Sequence, residues 1–175
     1  MATGAQLSEN LNNVINAIGG AVEADVKNAS VVFKATGVGT EGVRSDIRLG
    51  DFDIVIDEPP MLGGDGAGAN PIEYALASLL SCQIITYRFW AAKLGVEVGD
   101  IAAELEGDFD ARQFLGLDDD PALRAGLSSV RVNIRLSGPE TPERYQELKD
   151  HVDAHCPVLD LFRNPTPVQT VVTAV

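Results

Sequence analysis

Apolar residues at Leu7, Leu11, Val14, Ile15 and Ile18 recur at helical spacing, and Gly19-Gly20 breaks the pattern, so the chain is predicted to open on an amphipathic helix. The period then changes. Val31 to Ala35 reads as a short strand, Val43 to Leu49 alternates with period two, and Phe52, Ile54 and Ile56 alternate again until Glu58-Pro59-Pro60 closes the run. Three strands joined by tight turns make an antiparallel meander. On the second of them Val43, Ile47 and Leu49 share the apolar face, with Arg44, Asp46 and Arg48 opposite. Such arginines are either a solvated surface or a source of guanidinium for an anion.

The pattern changes again at Asn70. The stretch NPIEYALASLLSCQIITYRFWAAKLG, Asn70 to Gly95, has apolar or small residues on every side, as a buried or membrane-spanning helix does. Asn70 is a good N-cap, Pro71 suits the first helical position, and Glu73 stands where a capping-box carboxylate reaches back to the Asn70 amide. Gly95 is a natural stop. The uncharged run from Tyr74 to Tyr87 falls short of the roughly 18 to 20 residues that cross a bilayer, so the helix is read as the core of the fold. Beyond it, Ile101 to Phe109 and Val130 to Leu136 read as strands, and Arg112 to Gly126 as an acidic surface loop. Thr141-Pro142-Glu143 opens a helix with Tyr145, Leu148 and Val152 inward. Cys156-Pro157 opens a shorter helix through Phe162, and Val168 to Val172 reads as a last strand. Strands and helices segregate, which predicts an α+β fold. The whole chain, 1–175, is expected to form one domain, with 1–28 as a helical N-terminal extension.

Composition narrows the function. The formal net charge is −13 and the sequence pI about 4.4, which disfavours nucleic acid and anionic membrane as partners. No signal peptide is visible at MATGAQLSENLNN, so a cytoplasmic location is expected, where a permanent disulfide is uncommon. Gly37-Val38-Gly39-Thr40-Glu41-Gly42 matches the dinucleotide fingerprint, but a strand follows it where the fingerprint needs a helix, so it is read as a hairpin turn. The glycine-rich Met61 to Ala69 lacks the Lys-Ser/Thr of a phosphate loop and serves close backbone passage. His151 and His155 stand at i and i+4, a spacing that can hold zinc, but no further ligands are identifiable.

The two cysteines, Cys82 and Cys156, carry the remaining chemistry. They are either inert small hydrophobes or a redox pair. Only a thiolate attacks a peroxide, and it needs a nearby positive charge or a helix N-terminus. Cys156, at an N-cap, has the helix dipole. Cys82, about three turns into its helix, would need a cation brought from elsewhere. Glu73 lies about 13.5 Å of helical rise before Cys82 and half a turn out of phase, so the two do not meet within one straight helix.

NPIEYALASLLSC, a distal HCPVL, a preceding strand meander with a glycine-rich loop, and the order of elements together resemble the OsmC/Ohr family, the osmotically inducible protein C and organic hydroperoxide resistance proteins, in its OsmC-like branch. The resemblance runs from Val31 to the C-terminus. It implies an intertwined α+β homodimer with sites at the interface, and thiol-dependent reduction of organic hydroperoxides. It implies that Cys82 is the peroxidatic cysteine and Cys156 the resolving one, and that the activating arginine is Arg44, with Arg48, on the same face, in reserve. No bound cofactor is implied, only an external dithiol reductant. In the better-known peroxidase branches a glutamate directly follows the Asn-Pro. This chain has Ile72 there, and Glu73 one position later, on another face, as either the displaced carboxylate or simply the helix cap. Ile84, Ile85, Phe89 and Trp90 give Cys82 an apolar setting suited to an organic tail. Two rival readings stand beside this one: a non-enzymatic binding protein with an apolar interface pocket, and a metal-dependent enzyme using His151 and His155.

Overall fold

The computed structural model describes residues 4–39 and 41–174. Helices and strands follow in the order α1 (Gly4–Ala24), β1 (Ala35–Gly39), β2 (Ser45–Leu49), β3 (Phe52–Ile56), α2 (Pro71–Leu94), β4 (Ile101–Asp108), α3 (Ala111–Phe114), β5 (Ser129–Leu136), α4 (Pro142–His155) and α5 (Pro157–Arg163), with 3-10 turns at Val26–Ala29 and Pro60–Leu62. The strands form two sheets, β1-β2-β3 and β4-β5. The fold is α+β with a long central helix. Two compact units divide it: one holds Leu79–Ala103 and Ile134 onward with the start of α1, the other Asn13–Ser78 and Glu104–Asn133. No helix among the described residues is long and apolar enough to cross a membrane.

In the second unit β1, β2 and β3 form the expected antiparallel meander, with Ala35 opposite Leu49 and Ser45 opposite both Gly39 and Ile56. The glycine motif at 37–42 lies in β1 and the turn after it, though Thr40 is outside the described residues. After β3 the loop folds around the carboxylate of Asp57, which is 2% exposed. Asp57 accepts the N–H of Glu58 on Oδ1 and those of Asp65 and Ala67 on Oδ2, at 2.9 to 3.0 Å. Three aligned donors favour the ionised form. The Ala67 N–H above all, with those of Glu58 and Asp65 and the charge of Arg44, holds this carboxyl below its usual range. Glycine is required here for space: a Cβ on Gly64 would lie 1.9 Å from the Glu58 oxygen, and one on Gly68 2.2 Å from that of Val55. The loop delivers the chain to α2, which opens as a reciprocal capping box. The Asn70 N–H donates to Glu73 Oε2 and the Glu73 N–H donates to Asn70 Oδ1, both at 2.8 Å.

In the first unit α2 buries Leu79, Gln83, Thr86, Tyr87, Ala91 and Ala92. Tyr87, Ala91 and Val96 pack with Leu148 and Val152 of α4, and Trp90, Leu94, Ile134, Leu136 and Tyr145 flank this core. The end of α2 is a Schellman turn: Gly95 has φ +64, its N–H donates to the Ala92 carbonyl at 3.3 Å, and the Val96 N–H donates to that of Ala91 at 2.9 Å. Arg88 donates to the Val98 and Gly99 carbonyls at 2.8 and 2.6 Å, and Arg144 to the Leu94 carbonyl at 2.7 Å. Arg144 thereby ties the end of α2 to α4, the helix that ends at the second cysteine.

Three expectations fail, each for a local reason. Gly19-Gly20 does not end α1, which continues to Ala24; a helical glycine costs about 1 kcal/mol relative to alanine but need not terminate a helix. The strand expected at Val31 to Ala35 begins only at Ala35, because β2 ends at Leu49 and the register has no partner for earlier residues. Val31, Val32 and Phe33 are left exposed. Val168 to Val172 is not a strand: among the described residues no strand pairs with it, and Val168, Val171 and Val172 are exposed.

Candidate redox site

Cys82 stands on α2, and Cys156 at the joint between α4 and α5, where it is both the last cap of one and the first of the other. Pro157 makes that joint. It disfavours helical geometry at the residue before it, and Cys156 is extended at φ −78, ψ 113. The backbone of Cys156 is fully used, its N–H on the Val152 carbonyl at 2.9 Å and its carbonyl on the Asp160 N–H at 3.1 Å. The sulfur is therefore held in place. Cys156 is 2% exposed and Cys82 is partly exposed, and the two Sγ atoms are 3.5 Å apart as free thiols. A disulfide needs about 2.05 Å, so a displacement on the order of 1.5 Å closes the bond.

The groups around Cys82 in this unit pull its acidity both ways. Burial pushes the thiol above its ordinary value, and the neighbouring Cys156 adds to the rise. The nearby Val158 N–H and Thr86 hydroxyl oppose it, because a donor directed at the sulfur favours the charged form. Cys156 caps the start of α5 as expected, yet its side chain makes no capping bond. Pro157 has no N–H, so the first N–H of α5 belongs to Val158, and it favours the charged form of Cys82. Proline at the first position of the helix was the available signal: it identifies which N–H comes first, though not which sulfur it finds. Thr86, four residues after Cys82, was also legible as a neighbour on the same helix face. Its Oγ1 donates to the Cys82 carbonyl at 2.7 Å and lies 4.0 Å from the Cys82 sulfur.

Arg44, Arg48 and Glu73 lie in the second unit, each with its own partner, and His151 and His155 lie in the first. Arg44 pairs with Asp46 at 2.7 Å and Arg48 with Asp53 at 2.9 Å, all four side chains being well exposed. Glu73 is the capping-box carboxylate of α2. His151 stacks on Trp90 and His155 lies tilted against it, with ring centroids 4.8 and 4.2 Å away, and Lys93 Nζ lies 4.5 Å from the same ring. The Nδ1 of His155 contacts the His151 carbonyl at 2.7 Å. Among the described residues no group of three or more His, Cys, Asp or Glu could hold a metal ion. The acidic Asp118 of the long loop pairs with Arg112 at 3.1 Å.

The profile of the OsmC-like protein family matches residues 64–171, a span that includes both cysteines. Among solved structures, the OsmC-like protein of Mycoplasma pneumoniae is 17% identical with a TM-score of 0.63, covering 77% of this chain and 89% of that one. An organic hydroperoxide resistance protein OsmC from Legionella pneumophila is 18% identical with a TM-score of 0.59, covering 76% and 90%. The organic hydroperoxide resistance protein OhrB of Bacillus subtilis is 18% identical with a TM-score of 0.53, covering 76% and 91%. These likenesses establish a shared fold. A search of curated proteins gives no match.

Proposed function

The chain belongs to the OsmC-like protein family, and from that premise we propose that it is a thiol-dependent peroxidase that reduces organic hydroperoxides. The observation that carries this reading is the pair of free sulfurs 3.5 Å apart, one partly exposed and one buried. Cys82 thiolate attacks the distal peroxide oxygen. The O–O bond breaks, the alkoxide takes up a proton and leaves as the alcohol, and Cys82 becomes a sulfenic acid. The Cys156 thiol then attacks that sulfur, the S–S bond forms and water leaves. A dithiol reductant reopens the disulfide by exchange and departs oxidised. Ile85, which is 54% exposed, and Phe89 follow Cys82 at helical spacing and offer an organic tail an apolar approach to the sulfur.

Arg44 is assigned as the activating guanidinium, with Arg48 in reserve. An exposed ion pair such as Arg44–Asp46 is worth about 0 to 1 kcal/mol, so releasing the guanidinium costs little. The protein works as a homodimer. Apolar residues left open on α1 (Val14, Ile18), on the meander (Val38, Phe52) and on α2 (Ile85) support a second chain as their cover. Such an interface should exceed roughly 2,000 Å² in total. Sedimentation at micromolar concentration should show twice the 18.5 kDa chain mass, and a purely monomeric boundary contradicts the dimer.

The deciding experiment is consumption of cumene hydroperoxide with dihydrolipoamide, comparing wild type with Cys82→Ser. Turnover should disappear in the variant, and one equivalent of hydroperoxide should convert the wild type to a Cys82–Cys156 disulfide by mass spectrometry. Thiols left unchanged by hydroperoxide would overturn the peroxidase and favour a binding protein.

A further inference from the structure

We propose that Thr86 is a positioning residue for Cys82, moving its hydroxyl hydrogen from the Cys82 carbonyl to the Cys82 sulfur when that sulfur ionises. The inference rests on the thiol chemistry assigned to Cys82 above and adds a residue to it.

Thr86 follows Cys82 by one helical turn, so its side chain lies beside that of Cys82. It is 7% exposed, and water does not compete freely for its hydroxyl. In the dithiol state the hydroxyl hydrogen goes to the Cys82 carbonyl at 2.7 Å, with the sulfur at 4.0 Å, the outer limit of a hydrogen bond to sulfur. That arrangement suits a neutral thiol. The carbonyl of Cys82 faces along the helix toward the N–H of residue 86, and the hydroxyl is an additional donor to it, so its withdrawal leaves no backbone acceptor orphaned. A thiolate is a charged acceptor, and bonds to charged acceptors are roughly twice as strong as neutral ones. Ionisation of Cys82, with its proton released to solvent, therefore shifts the preferred direction of the hydroxyl from oxygen to sulfur. The movement needed is rotation about the Cβ–Oγ1 bond together with a small adjustment of the cysteine side chain.

The bland alternative is that Thr86 only back-bonds to its helix, as buried threonines commonly do. The Val158 N–H does not substitute for the hydroxyl: it is a fixed backbone donor whose contribution is present whatever stands at 86. Threonine thus differs from valine, its near-isostere, in a donor placed beside the sulfur. Cys156, with its sulfur 3.5 Å from that of Cys82, raises rather than lowers the cost of the charge.

The test is the pH profile of iodoacetamide labelling at Cys82, read by mass spectrometry of the Cys82 peptide, in wild type, Thr86→Val and Thr86→Ser. Loss of the donor should move the midpoint upward by about one pH unit, and serine should return it to within about 0.3 unit of wild type. At pH 7 the valine variant should label, and be oxidised by cumene hydroperoxide, about 5 to 10 times more slowly. A midpoint for Thr86→Val within about 0.3 unit of wild type overturns the proposal, as does a serine variant that behaves like valine. Should valine crowd the helix and lower the melting temperature sharply, Thr86→Ala removes the same donor with less bulk and carries the same expectation. The labelling arm uses no peroxide, so a wild type inert to hydroperoxide but with a Thr86-dependent labelling curve defeats the peroxidase reading alone.

Discussion

The starts of α2 and α5 are built from the same dipeptide pattern, a capping residue followed by proline, and they end up with opposite tasks. At α2 the cap is Asn70, and the reciprocal bonds with Glu73 use the donors locally. At α4, Thr141 before Pro142 likewise accepts the Arg144 N–H on its hydroxyl. At α5 the residue before proline is Cys156, which makes no side-chain cap. The first N–H of α5, that of Val158, instead favours the charged form of Cys82 on another helix. An oxygen in the cap closes a helix start on itself; a sulfur there leaves a donor available for chemistry. The loop entering α2 extends the contrast, since three N–H groups converge on the ionised carboxylate of Asp57. One region uses its donors to hold the fold, the other to tune a thiol.

The most disruptive way to break that contrast is Cys156→Ser, which gives α5 the kind of cap that α2 and α4 already have. Serine is among the preferred N-caps, so the fold should survive. Turnover with cumene hydroperoxide should fall by an order of magnitude or more, because the Cys82 sulfenic acid has no partner thiol and must wait for reductant or oxidise further. Mass spectrometry should show Cys82 carrying added oxygen in place of a disulfide. Undiminished turnover would remove Cys156 from the mechanism.

The next effect concerns the charge assigned to Cys82. Within its own unit this thiol is held above its ordinary value by burial, and Arg44 is the guanidinium proposed to offset it. Arg44→Ala should raise the midpoint of Cys82 labelling by about one to three pH units. The labelling rate at neutral pH should then fall by about tenfold for each unit of that rise. If Arg48→Ala moves the curve and Arg44→Ala leaves it in place, the two arginines exchange roles.

A smaller effect is expected at the acid end, and in the other region. Asp57 has its pKa lowered in the folded state, so the stability it contributes is present above the unfolded value, about 3.9, and is lost as pH falls through the folded value. Asp57→Asn should lower the melting temperature at pH 7, with the difference from wild type narrowing as pH falls below about 3.9. Cys82 labelling at pH 7 should be unchanged within about twofold if the two regions are as separate in task as in acceptor. A melting difference that stays constant from pH 7 to pH 3 would mean that the Asp57 charge contributes nothing.

Both helix starts were legible in the sequence because capping is local: Asn70, Glu73, Gly95 and the Thr141-Pro142 pair specify their turns within four residues. The meander was legible because its apolar alternation and its turns lie close together. The terminal valines misled for the complementary reason. Alternation at Val168 to Val172 states that a strand is affordable, but a strand also requires a partner, and partnership is not written in the strand itself. The same limit governs the site. Sequence could place a helix N-terminus at Cys156, but not that proline and the joint geometry would aim its first N–H at Cys82. The sulfur pair came from family resemblance rather than from spacing, since contacts between α2 and α5 leave no periodic trace.

The smallest effect, and the sharpest test of the contrast, is at Glu73. Its carboxylate is occupied by the Asn70 N–H at 2.8 Å, and Asn70 answers on the Glu73 N–H. Glu73→Gln keeps an acceptor for the Asn70 amide and removes only the charge, which near a helix N-terminus is worth about 0.3 to 1 kcal/mol. For a domain of this size that is a fall in melting temperature of roughly 1 to 4 °C. Asn70→Ala, which removes the cap acceptor, should cost about 1 kcal/mol and set the upper end of that range. In both variants peroxide-driven oxidation of Cys82 should remain within about twofold of wild type, because along α2 the carboxylate is half a turn out of phase with the sulfur. The opposite pattern is the informative failure. A tenfold slower oxidation in Glu73→Gln, with melting unchanged, would mean that the carboxylate orients the activating arginine. The α2 cap would then belong to the chemistry, and the division of labour between the two helix starts would fail.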